Sequence, residues 1–97
     1  MTEHVIEREV AGNRGRYVIR RPDGEAEVTY SIASPVLILA DHTGVPDAFR
    51  GTGAGVALVT RLVADARAEG VRVVAVCPFI KAQAERHPEW ADVFTSG

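Results

Sequence analysis

The sequence predicts a mixed α/β (α+β) fold, a twisted sheet that runs from antiparallel strands into a parallel β-α-β unit, in the order β-β-β-β-α-β-α-α. Three observations lead there. Residues 25–32 alternate, with Val28, Tyr30 and Ile32 on one face and Glu27, Thr29 and Ser31 on the other, the period of a half-buried strand. Val56, Val59, Leu62, Val63 and Ala66 then recur at helical spacing, with Arg61, Asp65 and Glu69 opposite. Residues 36–40 and 71–76 are short apolar runs on either side of that helix, so they should be parallel neighbours joined by a crossover.

The remaining elements follow in order. Residues 4–10 read as a weak strand with Ile6 and Val10 on one face. Residues 11–15, rich in Gly and Asn, should reverse the chain. Residues 17–19 form a short strand ended by a turn over residues 20–24, which holds Pro22, Asp23 and Gly24. Ala33-Ser34-Pro35 leaves room only for a hairpin, and residues 36–40, lacking polar alternation, should be a central strand buried on both faces. Gly70 supplies a helix stop. Pro78 opens a second helix that reaches about Arg86. Pro88 restarts a short turn in which Trp90 and Phe94 should be core anchors.

A chain of 97 residues suits one domain, residues 1–97, with a single core. A net charge of −2 argues against binding nucleic acid through the whole surface. The longest apolar runs are far short of the roughly 20 residues that span a membrane. The opening Met-Thr-Glu-His is neither basic nor followed by an apolar signal core, so a cytoplasmic protein is expected. One cysteine, Cys77, excludes an intrachain disulfide, and the histidines lack metal-ligand spacing, so no metal site is expected.

Chemistry concentrates in Val45-Pro46-Asp47-Ala48-Phe49-Arg50-Gly51-Thr52-Gly53-Ala54-Gly55. Three glycines in five positions let backbone approach a ligand, and the loop ends where helix N–H groups and dipole attract anions. Arg50 adds a positive charge at the mouth. These features describe a pyrophosphate cradle; the plain alternative is a loop whose glycines only ease a turn. A Walker loop would continue with Lys and Ser or Thr, where Val56 and Ala57 stand, and a dinucleotide fingerprint would have Gly or Ala in place of Val56.

The segment Arg50-Gly51-Thr52-Gly53-Ala54-Gly55 instead resembles the Arg/Gln-x-x-Gly-x-Gly/Ala motif of the GNAT superfamily of acyl-CoA-dependent N-acetyltransferases. His42-Thr43 and Val45 ahead of the loop, with Cys77-Pro78-Phe79-Ile80 and His87-Pro88-Glu89 after it, resemble its short single-domain branch, over roughly residues 25–93. The resemblance implies two parallel strands that splay at their C-terminal ends, with acetyl-CoA in the gap. Its pantetheine would pair with backbone near residues 41–45, Thr43 and Val45 included, and its pyrophosphate with the amides of Arg50, Gly51, Thr52, Gly53, Ala54 and Gly55. Phe79 and Lys81 would flank the pantetheine or adenosine end. The N-terminal helical region that usually completes the acceptor pocket has no counterpart here, so the resemblance does not identify the amine.

Amide formation from a thioester needs a neutral amine and an exit for the thiolate, so a general base is useful. Cys77, at a strand end and before a helix start, lies where thiolates are favoured. It is either a residue beside the thioester, an acyl-accepting nucleophile, or a small buried thiol. His42 follows the central strand and has the intrinsic basicity of a general base, or else it caps the strand end. His87 should organise the helix break, Asp41 a strand-end turn, and Glu25 and Glu27 a solvated face, with Glu27 able to bind an amine. Arg8, Arg14, Arg16, Arg20 and Arg21 read as solvated, or as a surface for an acidic partner. The expected activity is N-acetyl transfer from acetyl-CoA directly to an amine, in a monomer or weak homodimer. The alternative is an acyl-CoA-binding or sensing module with little turnover.

Overall fold

In the computed structural model, which describes residues 4–49 and 51–95, the strands lie in chain order across one six-stranded sheet. β1 (Glu7–Ala11), β2 (Arg14–Arg21), β3 (Gly24–Ser34) and β4 (Leu37–Gly44) are antiparallel neighbours. β5 (Arg72–Ala75) lies parallel to β4, and β6 (Phe94–Thr95) parallel to β5. Between β4 and β5 run a 3₁₀ turn, Asp47–Phe49, and the helix α1 (Ala54–Glu69). After β5 come α2 (Pro78–Arg86) and a second 3₁₀ turn, Pro88–Trp90.

The turn chemistry sets this register. Gly12, at φ 62°, lets Ala11 and Arg14 face each other across a two-residue reversal. Gly70, at φ 70°, ends α1, with the Val71 amide returning to the Ala66 carbonyl at 2.8 Å. Pro78 at the first position of α2 fits because no helical amide is needed there.

α1 presses Leu58, Val59, Leu62, Val63 and Ala66 onto Tyr17, Ile19, Ala26, Val28, Tyr30 and Ala40, and this layer is the core. Leu58 takes the place expected for Val56, which is 40% exposed at the helix start. The buried stripe of α1 starts at Ala54 and Gly55 and continues at Leu58, so Val56 falls off it. Gly15 is buried because the Tyr30 ring crosses it; a Cβ there would lie 2.3 Å from Tyr30 Cζ.

Two expectations need correction. The central strand is longer and less buried than a continuous apolar run suggests: Val36 is 61% exposed and outside β4, and Leu37, Ile38 and Leu39 are only half-buried. Of these residues Ile38 packs against the core beneath α1. Phe94 is half-buried and packs against the core, and Trp90 is buried, both as expected, but Phe94 also forms β6, an element the turn residues around it did not signal. The arginines are largely exposed, as expected of a solvated cluster, but they are tied into ion pairs. On the face away from α1, Arg20 bonds Glu7, Glu9 and Glu25 and Arg16 bonds Glu9 and Glu27, a ladder across three strands. Val18, between them on that face, is fully buried.

Candidate functional site

The sheet opens where β4 outlasts β5. Their pairing ends at Ala40 and Ala75, and the amides of Val76 and Cys77 both close on the Ala40 carbonyl at 3.0 Å. β4 continues to Gly44, paired from there on with β3 alone. The edge of residues 41–44 that would have met β5 is therefore turned toward the start of α2.

A register shift between Thr29 and Tyr30 decides which side chains line this opening. Tyr30 faces Ala40, Thr29 faces His42 and Val28 faces Thr43, so Asp41 is the extra residue on β4. Strict alternation from Ala40 would put His42 on the core face. The bulge instead puts Thr43 there, in line with buried Val28, and sends His42 to the opposite face. Asp41 itself accepts a 2.6 Å hydrogen bond from the Ser31 hydroxyl and stands 3.9 Å from Arg14, a role in the bulge and not in a turn.

Cys77 caps the N-terminus of α2 and is buried, its Sγ 3.5 Å from the Thr43 hydroxyl across the gap. Burial pushes this thiol up, but hydrogen bonding from the Thr43 side chain and the backbone of Ile80, Phe79 and Thr43 outweighs it and leaves the thiol below its ordinary value. His42 is exposed. A Cβ built on Gly44 would sit 3.5 Å from His42 Nε2 and 3.7 Å from Glu27 Cγ, so imidazole and carboxylate share the space over Gly44. His42 and Cys77 therefore stand on opposite faces of β4.

Arg50 lies outside the described residues. The glycines of its loop differ in purpose. Gly51 and Gly53 have φ of 79° and 76°, with nothing within 4 Å of an added Cβ, so conformation requires them and open space surrounds them. Gly55 is tightly covered: a Cβ would lie 2.9 Å from Phe79 Cζ and 3.4 Å from Val45 Cγ2. Thr52 tightens the turn, its hydroxyl donating to the Phe49 carbonyl at 2.6 Å and accepting from the Ala54 amide at 3.3 Å. Helix geometry leaves the next amides, of Gly55 and Val56, without intrahelical partners. Val45, Gly51, Gly53, Ala54, Gly55 and Phe79 line one groove of about 220 Å³. Lys81 is not part of it; it borders a separate groove of about 410 Å³ with Val74, Ala75 and Phe94.

The other candidates have structural partners. His87 stacks on Trp90 with centroids 4.0 Å apart and bonds Glu89, so it organises the break between α2 and the last turn. Sequence reasoning missed His4, whose Nε2 lies 2.8 Å from the Thr52 carbonyl. Nothing in a weak, charged N-terminal segment announces a contact 48 residues away. It also gave Thr43 no link to Cys77, because that link depends on the bulge.

A positive-φ glycine turn feeding a helix N-terminus thus lies beside a parting of two parallel strands. Among the described residues no helix is long and apolar enough to cross a membrane. No curated protein matches the chain. A solved structure does: the NMR solution structure of a GCN5-like candidate N-acetyltransferase from Staphylococcus aureus, at 30% identity and a TM-score of 0.73, covering 94% of this chain and 89% of that one. Residues 16–93 match the family described as GCN5-related N-acetyl-transferase, and the chain belongs to that family.

Proposed function

We propose that this protein transfers an acetyl group from acetyl-CoA directly to an amine held beside it. The family uses acetyl-CoA as co-substrate and an amine as acceptor. The observation that carries the reading is the opening beyond Ala40, flanked by the glycine loop on one side and Cys77 with Thr43 on the other. The residues fit such a ligand. Gly51 and Gly53 leave room for a phosphate to reach the backbone, and the helix amides of Gly55 and Val56 supply donors. Arg50 would add charge there. The free edge of β4 from Asp41 to Gly44, Thr43 included, with Val45 beyond it, would pair with an extended amide-bearing arm, and Phe79 would wall it.

Coenzyme A supplies an acyl carbon already activated as a thioester. The chain's own contribution is orientation and proton handling. Cys77 lines the inner end of the gap and, with Thr43, offers hydrogen bonds to a departing sulfur. His42, next to Glu27 on the far face, is the group placed to take a proton from an amine arriving on that side. One observation favours the second reading, a module that binds acyl-CoA with little turnover. The separation of His42 from Cys77 by the thickness of β4 leaves the thiol without a basic side chain bonded to it among the described residues.

Incubation with acetyl-CoA and a panel of amines, read by thiol release and by the mass of protein and amine, tests both. Amine-dependent thiol release with acetylated amine is the expected result. Binding without amine-dependent release selects the module. Absence of coenzyme A binding overturns both readings.

A further inference from the structure

The N-terminal segment and the glycine loop are joined by a closed ring of contacts that neither the packing of the core nor the cradle requires. His4 is half-buried and uses both ring nitrogens: Nε2 lies 2.8 Å from the Thr52 carbonyl and Nδ1 lies 3.1 Å from Arg21 Nη2. A guanidinium only donates, so Nδ1 must accept, and the imidazole is then the neutral form with its hydrogen on Nε2. That hydrogen is the one a carbonyl needs. Arg21 is itself held, its guanidinium 5.1 Å above the ring of buried Phe49. The ring closes through Thr52, whose amide and hydroxyl both donate to the Phe49 carbonyl, at 3.1 and 2.6 Å.

Gripping the Thr52 carbonyl has a consequence on the other side of the same peptide bond. The unit is planar and trans, so its C=O and the N–H of Gly53 point in opposite directions. Holding the carbonyl toward His4 turns the Gly53 N–H away from it, and Gly53 lines the groove. Gly53, at φ 76° with open space around it, is a residue for which a flip of the preceding peptide meets little steric resistance. A flip would withdraw the donor and present a carbonyl, which repels anions, in its place.

We propose that His4 is a positioning residue, which holds the Thr52–Gly53 peptide in the orientation that presents the Gly53 N–H to a diphosphate. The proposal rests on the acyl-CoA reading of the groove. His4 touches no ligand itself; it acts through one peptide bond, and Arg21 and Phe49 hold it in register.

The test uses three variants of the full chain. His4→Phe keeps a ring and removes both nitrogens, His4→Ala removes the ring, and His4→Gln restores a donor and an acceptor on one planar group. Coenzyme A affinity by calorimetry should fall about fivefold in the first two, the size of one lost neutral hydrogen bond, and recover most of the way in His4→Gln. KM for acetyl-CoA should rise by the same factor while kcat stays level. Amide exchange in the free protein should quicken at Gly53 in His4→Phe and stay slow in His4→Gln. Wild-type protein that does not bind coenzyme A overturns the reading of the groove, and the role of His4 with it. Wild-type binding matched by equal binding in His4→Phe overturns His4 alone, as does a loss that tracks the melting temperature and is not rescued by His4→Gln.

Discussion

From β1 to β3 both faces of the sheet are braced; beyond Ala40 the sheet parts and its backbone is left unpaired along one edge. In the braced part, Tyr17 and Tyr30 lie under α1 with their hydroxyls bonded to Asp65 and Arg8, and Arg8 continues to Glu69. Burial, with Asp65 accepting from the hydroxyl, holds the Tyr17 phenol well above the usual tyrosine range, so it stays a donor. The opposite face carries the Arg16 and Arg20 ladder. In the parted region the spare hydrogen-bonding groups are backbone, and the side chains that gather there are small or neutral: Thr43, Val45, Cys77, Phe79 and the glycines. Side-chain ion pairs and hydrogen bonds concentrate in the first region, and an unpaired strand edge marks the second. The two regions should therefore fail differently.

Leu62→Ala should give the largest effect. Leu62 is fully buried between α1 and the antiparallel strands, and truncation there should cost about 2–5 kcal/mol in denaturant melts. Coenzyme A affinity of the folded fraction should be unchanged. A loss under ~0.5 kcal/mol would mean that α1 does not carry the core, and a parallel fall in affinity would mean that the two regions are not separable.

Gly15→Ala comes next. The added methyl would stand 2.3 Å from Tyr30 Cζ, and that ring is confined by Tyr17 at 5.7 Å and by the Arg8 bond to its hydroxyl. Overpacking of this kind costs about 1–3 kcal/mol. Gly15→Ala combined with Tyr30→Leu should recover part of the loss; additive losses in the pair would show that the ring is not the obstacle.

Gly53→Val moves the test to the parted region. A branched residue at φ 76° is strained by roughly 1–2 kcal/mol, yet no atom lies within 4 Å of the new Cβ. The fold should survive while calorimetry shows coenzyme A binding lost. Undiminished binding would remove the loop from the ligand site.

The braced region was legible in the sequence because local chemistry determines it. Alternation at Val28, Tyr30 and Ile32 fixed the face of β3, Gly70 and Pro78 marked helix ends, and the parallel pairing of β4 with β5 followed from the helix between them. The acyl-CoA family was legible in the loop and its flanks. What escaped depends on contacts distant in sequence. The bulge at Asp41, which exchanges the faces of His42 and Thr43, arises from register against β3 and has no residue signature of its own. β6 is two residues long and exists through pairing with β5. The reason for Gly55 is a phenylalanine 24 positions later, which spacing cannot reveal.

The smallest effect should belong to Cys77, and it tests whether the parted region carries its own nucleophile. The thiol is buried, which opposes ionisation, but bonding with Thr43 and the backbone of Ile80 and Phe79 favours the thiolate more. Its folded value is thus lowered from the unfolded one of about 8.5. The sign follows: stability from this linkage is fully present above the unfolded value and is lost as pH falls through the folded value. Alkylation of the native protein should show its inflection below that of the denatured chain, and Thr43→Val should move it back up. A more accessible thiolate is still not a required one. Covalent transfer would exchange one thioester for another of nearly equal energy, while direct attack by a bound amine avoids that step. Cys77→Ala should therefore keep coenzyme A affinity and lose at most about tenfold in rate, roughly 1.4 kcal/mol. An acetyl adduct on Cys77 in intact-mass spectra, forming as fast as turnover and discharged by the amine, would reverse this assignment and make the thiol the nucleophile.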